Sequence, residues 1–355
     1  MRQYISALRS AGRLRAAQTL PRAYATISPD TPPPQSPYEV FDEPSKVRQR
    51  DRAILRLREE YNRLPDKSKY ASVNDYLRSV DGLREELAER LVERVEDLKT
   101  PPQRILELSS HAGQLTRVLQ ETLSEDESRE WYMVEPSELS LNRDQDFPLP
   151  VTRIQTSPSH FLTHPQIAPL REKVDAVVST SGLHWVGDIV GGLTQVRHVL
   201  KPDGVFIAAV LGGDTLFELR TALQLAEQER RGGIANRISP MINPTDGASL
   251  LNRAGFTTTT VDIEEITINY PSMWELLSDL RDTGESNAIL GRRGMISRDV
   301  LLAAEGIYRE LYQKEEDSIP ATFQVIFMIG WKPGPTEPKP LPRGSGQTNL
   351  KDILQ

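Results

Sequence analysis

Residues 104–113, RILELSSHAG, join an apolar strand-like run to an acidic residue and a turn of small residues. A loop that holds a nucleotide-type cofactor needs small residues, because its backbone must approach the ligand just before a helix begins. Glu107, Ser109 and Gly113 are the candidate cofactor-binding residues here. Only Gly113 is a glycine, since serines stand where glycines are usual. The spacing alone leaves two interpretations open, a cofactor loop and an ordinary strand-turn-helix without a ligand.

A second acidic residue, Glu135, ends the next strand-like run, WYMVE. A carboxylate at this place can accept hydrogen bonds from both ribose hydroxyls of an adenosine. The alternative is a solvated carboxylate at a strand end. The presence of a second acidic residue, Glu107, in the preceding strand favours the cofactor-binding interpretation.

Two strand ends further along the chain could supply substrate-contacting groups. In TSGLHWVGD, His184 and Trp185 follow a buried strand and could line a pocket, or be satisfied core residues. In LGGDT, Asp214 could face the same pocket. The alternative is a helix cap, because Thr215 with Glu218 matches a capping box.

The segment 269–287 begins with aromatic residues and contains Glu285, and it could be a lid or a partner-binding element. The candidate catalytic residues are therefore His184, Asp214 and Glu285.

These residues can meet only if alternating strands and helices bring them to one edge of a sheet. The predicted strands are 104–108, 130–134, 151–154, 173–180, 205–212, 256–266 and 321–332. The predicted helices are 112–122, 137–142, 188–200, 215–231, 245–254, 271–281 and 298–313. Such alternation predicts an α/β fold with a mostly parallel sheet, in which ligands bind outside the carboxyl ends of the strands.

A helical extension precedes the α/β domain. An i, i+4 stripe of leucines and valines predicts one helix over 73–98, and 47–64 is also helical in pattern. We therefore assign 46–100 to the N-terminal helical extension and 101–332 to the α/β domain. The Pro-, Gly- and Lys-rich end, 333–355, is predicted to be disordered.

The first thirty residues differ from the rest in charge. They contain five arginines, and no acidic residue occurs before Asp30. An Arg-rich amphipathic start predicts a mitochondrial transit peptide over 1–24, cut between Tyr24 and Ala25. The alternative is a basic helix that lies on a membrane or binds nucleic acid. The Pro-rich stretch that follows predicts a linker over 25–45.

Composition excludes several kinds of site. The chain has 355 residues and no cysteine, which rules out disulfides, cysteine-ligated zinc and a cysteine nucleophile. The five histidines lack the spacing of metal-binding motifs, so we expect no metal site. The net charge of −7 argues against nucleic acid as a partner. The sequence holds no apolar run long enough for a transmembrane helix.

Several longer motifs carry a family resemblance. LELSSHAG, VDAVVSTSGLHWVGD and LKPDGVFIAAVLGG resemble the class I S-adenosylmethionine methyltransferases. That family has a Rossmann-like seven-stranded sheet of order 3-2-1-4-5-7-6, an antiparallel seventh strand and helices on both faces. The segments 211–233, 270–287 and 320–332 more closely resemble the mitochondrial complex I assembly factors of this fold, which are arginine hydroxylases. The resemblance spans roughly 38–332.

The resemblance implies a function in the mitochondrial matrix, with at most peripheral association with the inner membrane. The substrate would be an arginine of an iron–sulfur subunit in the peripheral arm of complex I, and other assembly factors could be partners. S-adenosylmethionine would be the bound cofactor. The family places acidic residues at Glu107 and Glu135. This sequence departs from the family at the glycine loop, where serines replace glycines. It departs again at Ser157, where the family usually has an Asp beside the adenine.

Two other functions stay open. The same fold could serve as a non-catalytic assembly chaperone whose cofactor site is lost. The chain could also be a carrier-protein or small-molecule methyltransferase, because the malonyl-carrier-protein methyltransferases share the LHW motif that follows the fourth strand.

Overall fold

The computed structural model describes residues 39–124, 126–314 and 317–337. The predicted transit peptide 1–24 lies outside these residues, as do most of the predicted linker and tail. The strands are β1 Arg104–Leu108, β2 Glu130–Val134, β3 Val151–Ile154, β4 Val174–Thr180, β5 Leu200–Leu211, β6 Thr257–Tyr270 and β7 Ile319–Trp331. The first helices are α1 Glu43–Arg63, α2 Val73–Arg78, α3 Gly82–Glu96, α4 Gln114–Thr122 and α5 Glu138–Leu141. The later helices are α6 Ile189–Val199, α7 Phe217–Arg231, α8 Gly247–Arg253, α9 Met273–Asp282 and α10 Arg298–Tyr312.

The strands form one seven-stranded sheet of order β3-β2-β1-β4-β5-β7-β6. β7 runs antiparallel to both of its neighbours, and β1 to β5 are mutually parallel. The predicted sheet order and the antiparallel seventh strand are therefore confirmed. This topology brings the carboxyl ends of β1, β2, β4 and β5 to one edge, where the candidate residues lie.

Helices cover both faces of the sheet because side chains alternate along each strand. Leu106 and Leu108 of β1 face a core with α6 and α8, whereas Ile105 faces a core with α3 and α4. A third cluster packs α7, α9 and α10 around the beginning of β7. Since α3 shares a core with the sheet, it is a structural part of the α/β domain rather than a separate layer.

Several element boundaries differ from the prediction. The helix predicted over 73–98 is two helices, α2 and α3, that are separated by residues 79–81. Asp81 in this break binds the buried guanidinium of Arg143 with both carboxylate oxygens, so a long-range contact fixes the turn. α1 begins at Glu43, inside the predicted linker 25–45.

The capping box that was the alternative interpretation at the start of α7 does not form. The Thr215 hydroxyl donates to the carbonyl of Gln324, and Glu218 accepts hydrogen bonds from the backbone and side chain of Thr322. Both side chains are therefore engaged by β7 rather than by each other. α7 begins only at Phe217, after Leu216 in a left-handed conformation.

No helix in the described ranges is long and apolar enough to cross a bilayer.

Candidate functional site

The loop between β1 and α4 turns sharply through left-handed backbone conformations. Ser109, His111 and Gly113 have φ angles of 58°, 51° and 87°. A Cβ on Gly113 would lie less than 3.0 Å from side-chain atoms of Phe147 and Met133, so only glycine fits. α4 begins at Gln114 rather than at 112, because a left-handed residue cannot continue into the helix.

Glu107 of β1 is buried beneath this loop and binds α4, the helix that follows the loop. Its Oε2 accepts hydrogen bonds from the backbone N–H and the hydroxyl of Thr116, at 3.2 and 2.5 Å. Oε1 has no hydrogen-bond partner within the described part of the chain. Burial raises the pKa of the Glu107 carboxyl to about 8, although the bonds from Thr116 oppose the shift. Glu107 is thus a protonated or easily protonated acid at neutral pH.

The Glu135 carboxylate lies where the sequence predicted it, at the end of β2, but a guanidinium of the chain itself binds it. Nη1 of Arg50 in α1 donates to both carboxylate oxygens, at 2.8 and 3.1 Å. The backbone N–H groups of His111 and Ser137 donate to the same carboxylate, each at 3.1 Å. Both oxygens of this buried carboxylate are therefore engaged without any ligand.

α1 also covers the end of β3. The Ser157 hydroxyl donates to Oε2 of Glu43 at 2.8 Å, so the predicted adenine-side position contacts α1 as well. The space left between α1, Ser109, Ser157 and Gly182 is a cavity of ≈30 Å³. That volume suits about one water molecule, whereas pockets for small-molecule ligands measure roughly 300–1,000 Å³.

S-adenosylmethionine does not fit this cleft with α1 in place. The carboxylate for the ribose is taken by Arg50, and the volume is an order of magnitude too small. Of the predicted cofactor residues, Ser109, Glu135 and Ser157 do line one cleft, while Glu107 and Gly113 shape the loop behind it.

A much larger cavity of ≈560 Å³ lies beside this cleft. Its walls come from α3 and the break before it, the ends of β4 and β5, β6, β7 and α9. The charged or aromatic residues that line it are Arg84, Trp185, Tyr270, Glu275, Asp279, Asp282, Glu285 and Phe323. Four carboxylates against one guanidinium make the lining acidic.

Two of these carboxylates carry no ion pair among the described residues. Asp279 accepts a hydrogen bond from the Tyr270 hydroxyl at 2.6 Å, and Glu275 accepts one from the Ser272 hydroxyl. Asp282, by contrast, pairs with Arg56 of α1. Burial and the neighbouring Asp279 raise the pKa of the Tyr270 phenol. The cavity therefore holds negative charge that a cationic ligand could neutralise.

His184 contributes an unused hydrogen-bonding group to the same cavity. The residue is 4% exposed, and neither ring nitrogen has a hydrogen-bond partner within the described ranges. Its Nε2 lies 3.8 Å from Glu285, which is too long for a hydrogen bond. Burial lowers the pKa of His184, so the imidazole is neutral at pH 7. Ser181, on the same wall, also has an unpartnered buried hydroxyl.

Glu285 joins the two sites. Its carboxylate accepts hydrogen bonds from Nε1 of Trp185 at 2.6 Å and from Nη2 of Arg84 at 2.9 Å. The ammonium of Lys46 in α1 lies 3.9 Å from the carboxylate and 3.4 Å from the centroid of the Trp185 ring. Burial alone would raise the pKa of Glu285, but Lys46, His184 and Arg84 lower it well below its usual range. Glu285 is thus an ionised link between α1, α3 and the cavity.

Asp214 does not face the cavity, contrary to the prediction. Its side chain is exposed, and its Oδ2 accepts a hydrogen bond from Nε2 of Gln324 at 3.1 Å. Gln324 of β7 thereby holds Asp214 on the outer side of the turn after β5. Of the three predicted catalytic residues, the structure brings together His184 and Glu285 only.

Neither the role of α1 nor the roles of Tyr270 and Asp279 are evident from the sequence. One signal was present in α1: its buried face consists of Lys46, Arg50, Ala53, Ile54 and Leu57. An apolar helical stripe that continues into two cations indicates buried charge partners elsewhere in the chain.

The sequence is similar to those of known proteins with a methyltransferase domain. The sequence model of a methyltransferase-domain family matches residues 80–261. The mitochondrial arginine-hydroxylase NDUFAF5 of Danio rerio is 40% identical over 315 residues, which cover 88% of this chain and 89% of the relative. The malonyl-[acyl-carrier protein] O-methyltransferase of Halorhodospira halophila is 30% identical over 258 residues, covering 72% and 82%. A solved structure, described as a methyltransferase from Bacillus halodurans, superposes with a TM-score of 0.47 at 12% identity, covering 69% and 98%.

Proposed function

Because this chain belongs to the family of the mitochondrial arginine hydroxylase NDUFAF5 and carries its methyltransferase domain, we propose that it hydroxylates an arginine of a protein substrate. The observation that carries the proposal is the acidic cavity of ≈560 Å³ with its unpaired carboxylates. A cavity of this volume accommodates an arginine side chain together with part of its peptide.

The lining suits a guanidinium group in three respects. Asp279 offers a carboxylate without an ion pair, and charge-assisted hydrogen bonds to carboxylates are the strongest contacts that an arginine makes. The neutral His184 imidazole can accept an N–H bond through an unpartnered nitrogen. Tyr270 adds aromatic surface on which a guanidinium plane can stack, and Trp185, one face of which is covered by Lys46, adds apolar surface beside it.

The roles of the chain's own residues in this proposal are recognition and orientation. Hydroxylation of arginine converts a C–H bond to C–OH, and with dioxygen as the oxidant it needs two electrons and two protons, so that the second oxygen atom leaves as water. Amino-acid side chains supply neither the dioxygen nor the electrons, so an external oxidant and reductant would be co-reactants. Within the described ranges, no three His, Asp or Glu side chains are grouped so that they could hold a metal ion. His184 and Glu285 would place the guanidinium and exclude water from it.

The proposed substrate is an iron–sulfur subunit in the peripheral arm of respiratory complex I, modified in the mitochondrial matrix during assembly. The Arg-rich start of the sequence and the family name of the relatives, which are mitochondrial proteins, support this location. Contact with other assembly factors, and at most peripheral contact with the inner membrane, are part of the same proposal. A protein partner rather than nucleic acid agrees with the net charge of −7.

A non-catalytic assembly chaperone is the second candidate, and one observation favours it. α1 fills the cleft in which a methyltransferase would hold its cofactor, so the described conformation cannot bind S-adenosylmethionine. Methylation of a malonyl carrier protein is less compatible with the cavity, because Glu275 and Asp279 would repel the free carboxylate of a malonyl group.

The test is mass spectrometry of complex I subunits from mitochondria that lack the chain and from the same cells with the chain restored. We expect one arginine to gain the mass of one oxygen atom only where the chain is present. The Asp279→Asn variant should lower the modified fraction, and the surface variant Asp299→Asn should not. Assembly restored without any modified arginine would favour the chaperone, and modification in the absence of the chain would refute the proposal.

A further inference from the structure

α1 occupies the cofactor cleft through polar side chains that imitate a ligand. Glu43, Lys46, Val47 and Arg50 line the cavity of ≈30 Å³ that remains over Ser109. Arg50 is buried and supplies two hydrogen bonds to Glu135, the carboxylate that a methyltransferase of this fold would offer to a ribose. The helix therefore sits in the cleft itself, not above it.

The contacts that hold α1 there are exchangeable. Lys46 donates to the backbone carbonyls of Gly284 and Ser286, at 3.1 and 2.7 Å, and Glu43 accepts from Ser157. Hydroxyl groups and water can replace such hydrogen bonds one for one. The Arg50–Glu135 pair is buried, and Nε of Arg50 has no partner in the described part of the chain. A buried ion pair with an unsatisfied donor contributes little net stability, since desolvation offsets most of the attraction.

The apolar attachment of α1 is separate from the main cores. Ile54 and Leu57 form a small cluster with Leu77 of α2, and this cluster shares no buried residue with the cores on either face of the sheet. Leu139 of α5 is the one apolar residue of the α/β domain that packs against this cluster among the described residues. Departure of α1 and α2 would therefore uncover this small cluster and leave the cores on the two faces of the sheet covered.

We propose that α1 is an autoinhibitory strap: Arg50 and the ribose of S-adenosylmethionine compete for Glu135, and the cofactor enters only when α1 leaves the cleft. This inference rests on the methyltransferase domain and not on arginine hydroxylation, so it can fail or hold independently of the proposed function. Lys46 extends the effect to the neighbouring cavity, because the departure of α1 also removes one of the two cations beside Glu285.

The first experiment is calorimetric titration of the full chain and of Arg50→Gln with S-adenosylmethionine. We expect Arg50→Gln to bind about tenfold more tightly than the wild type, because the competing guanidinium is gone. Arg52→Gln is the matched control, since Arg52 is an exposed arginine of the same helix. Adding Glu135→Gln to Arg50→Gln should abolish the gain. Equal affinities for Arg50→Gln and Arg52→Gln, or no binding by either, would overturn the proposal.

A second variant tests the proposal even if Arg50→Gln does not fold. Lys46→Gln weakens the docking of α1 without touching Glu135, and it should also bind the cofactor more tightly than the wild type. The independent readout is amide hydrogen exchange over residues 43–63. Exchange should increase when S-adenosylmethionine is added, because the strap is displaced. A decrease would mean that α1 closes over the cofactor, which contradicts the proposal.

Discussion

Ser109 and Gly182 face each other so closely that the second position has no room for a side chain. A Cβ built on Gly182 would lie less than 3.0 Å from both Cβ and Oγ of Ser109. Ser109 stands in the loop after β1, and Gly182 stands in the turn after β4. The serine that replaces a usual loop glycine is therefore matched by a glycine on the opposite loop.

This contact predicts a non-additive pair of substitutions. Gly182→Ala should lower the free energy of unfolding by about 2–3 kcal/mol through overpacking. The effect should largely disappear in the Ser109→Gly background, where the added Cβ would have the Ser109 carbonyl oxygen at 3.5 Å as its nearest remaining contact. Urea unfolding of the four proteins measures the coupling. Equal costs of Gly182→Ala in both backgrounds would show that these two residues do not clash.

Glu107 should make stability depend on pH. The pKa of its carboxyl is about 8 in the folded protein, whereas the ordinary pKa of a glutamate, 4.5, applies to the unfolded chain. Between these values the folded state binds more protons, so this contribution to stability is complete below pH 4.5 and is lost as the pH rises towards 8. Glu107→Gln should flatten this part of the profile and stabilise the protein near pH 8, by up to about 4 kcal/mol.

Unfolding of wild type and Glu107→Gln at pH 5 and at pH 8 checks the sign of this effect. Thr116→Val should lower the stability at pH 8 further, since it removes the hydroxyl that stabilises the ionised form of Glu107. Glu107→Gln should gain stability over the wild type between pH 5 and pH 8. The same difference in stability at both pH values would contradict a raised pKa of Glu107.

Asp279 should determine affinity for a guanidinium in the large cavity. Binding of acetyl-arginine amide should weaken about fivefold or more in Asp279→Asn, because a charge-assisted hydrogen bond is replaced by a neutral one. Acetyl-citrulline amide, a neutral ligand of nearly the same shape, should bind the wild type weakly, and its affinity should not change in Asp279→Asn. Asp299→Asn, which alters an exposed residue paired with Arg231, is the control. Equal binding of the two ligands would remove Asp279 from the recognition site.

Arg143 should be necessary for the docking of the N-terminal helices. It is buried, and its guanidinium donates to Asp81 in the break between α2 and α3 and to Asp144 in the α/β domain. Arg143→Met should destabilise the protein by about 3–5 kcal/mol, because a buried carboxylate loses its main partner. Thermal unfolding compared with Arg171→Met, an exposed arginine, tests this. Similar midpoints for the two variants would show that the pair is energetically neutral.

The sheet was predictable because its signals are local. Apolar runs such as those in β1, β4 and β5 are each followed by small or acidic residues and then by a helical pattern. The resemblance to a known family supplied the strand order. These grounds predict Glu135, Ser157 and His184 near one edge of the sheet, and the structure does gather them there.

What the sequence did not predict depends on contacts between distant segments. Arg50 and Glu135 are 85 residues apart, and nothing in the local pattern of either says that they meet. Asp214 was misplaced because its orientation depends on Gln324, which is 110 residues further on. The break at Asp81 was missed for the same reason, since a contact with Arg143 interrupts an otherwise continuous helical stripe.

The position of α1 near the start of the chain has a consequence for the order of folding. The carbonyls that hold Lys46 lie 238 and 240 residues further along the chain, so α1 cannot complete its docking until residues 284–286 are in place. Until then, Lys46 does not hold α1 in the cleft. During that interval a newly folded molecule can capture a cofactor that the finished molecule would admit only slowly, so the timing of maturation, as well as affinity, decides what the cleft contains.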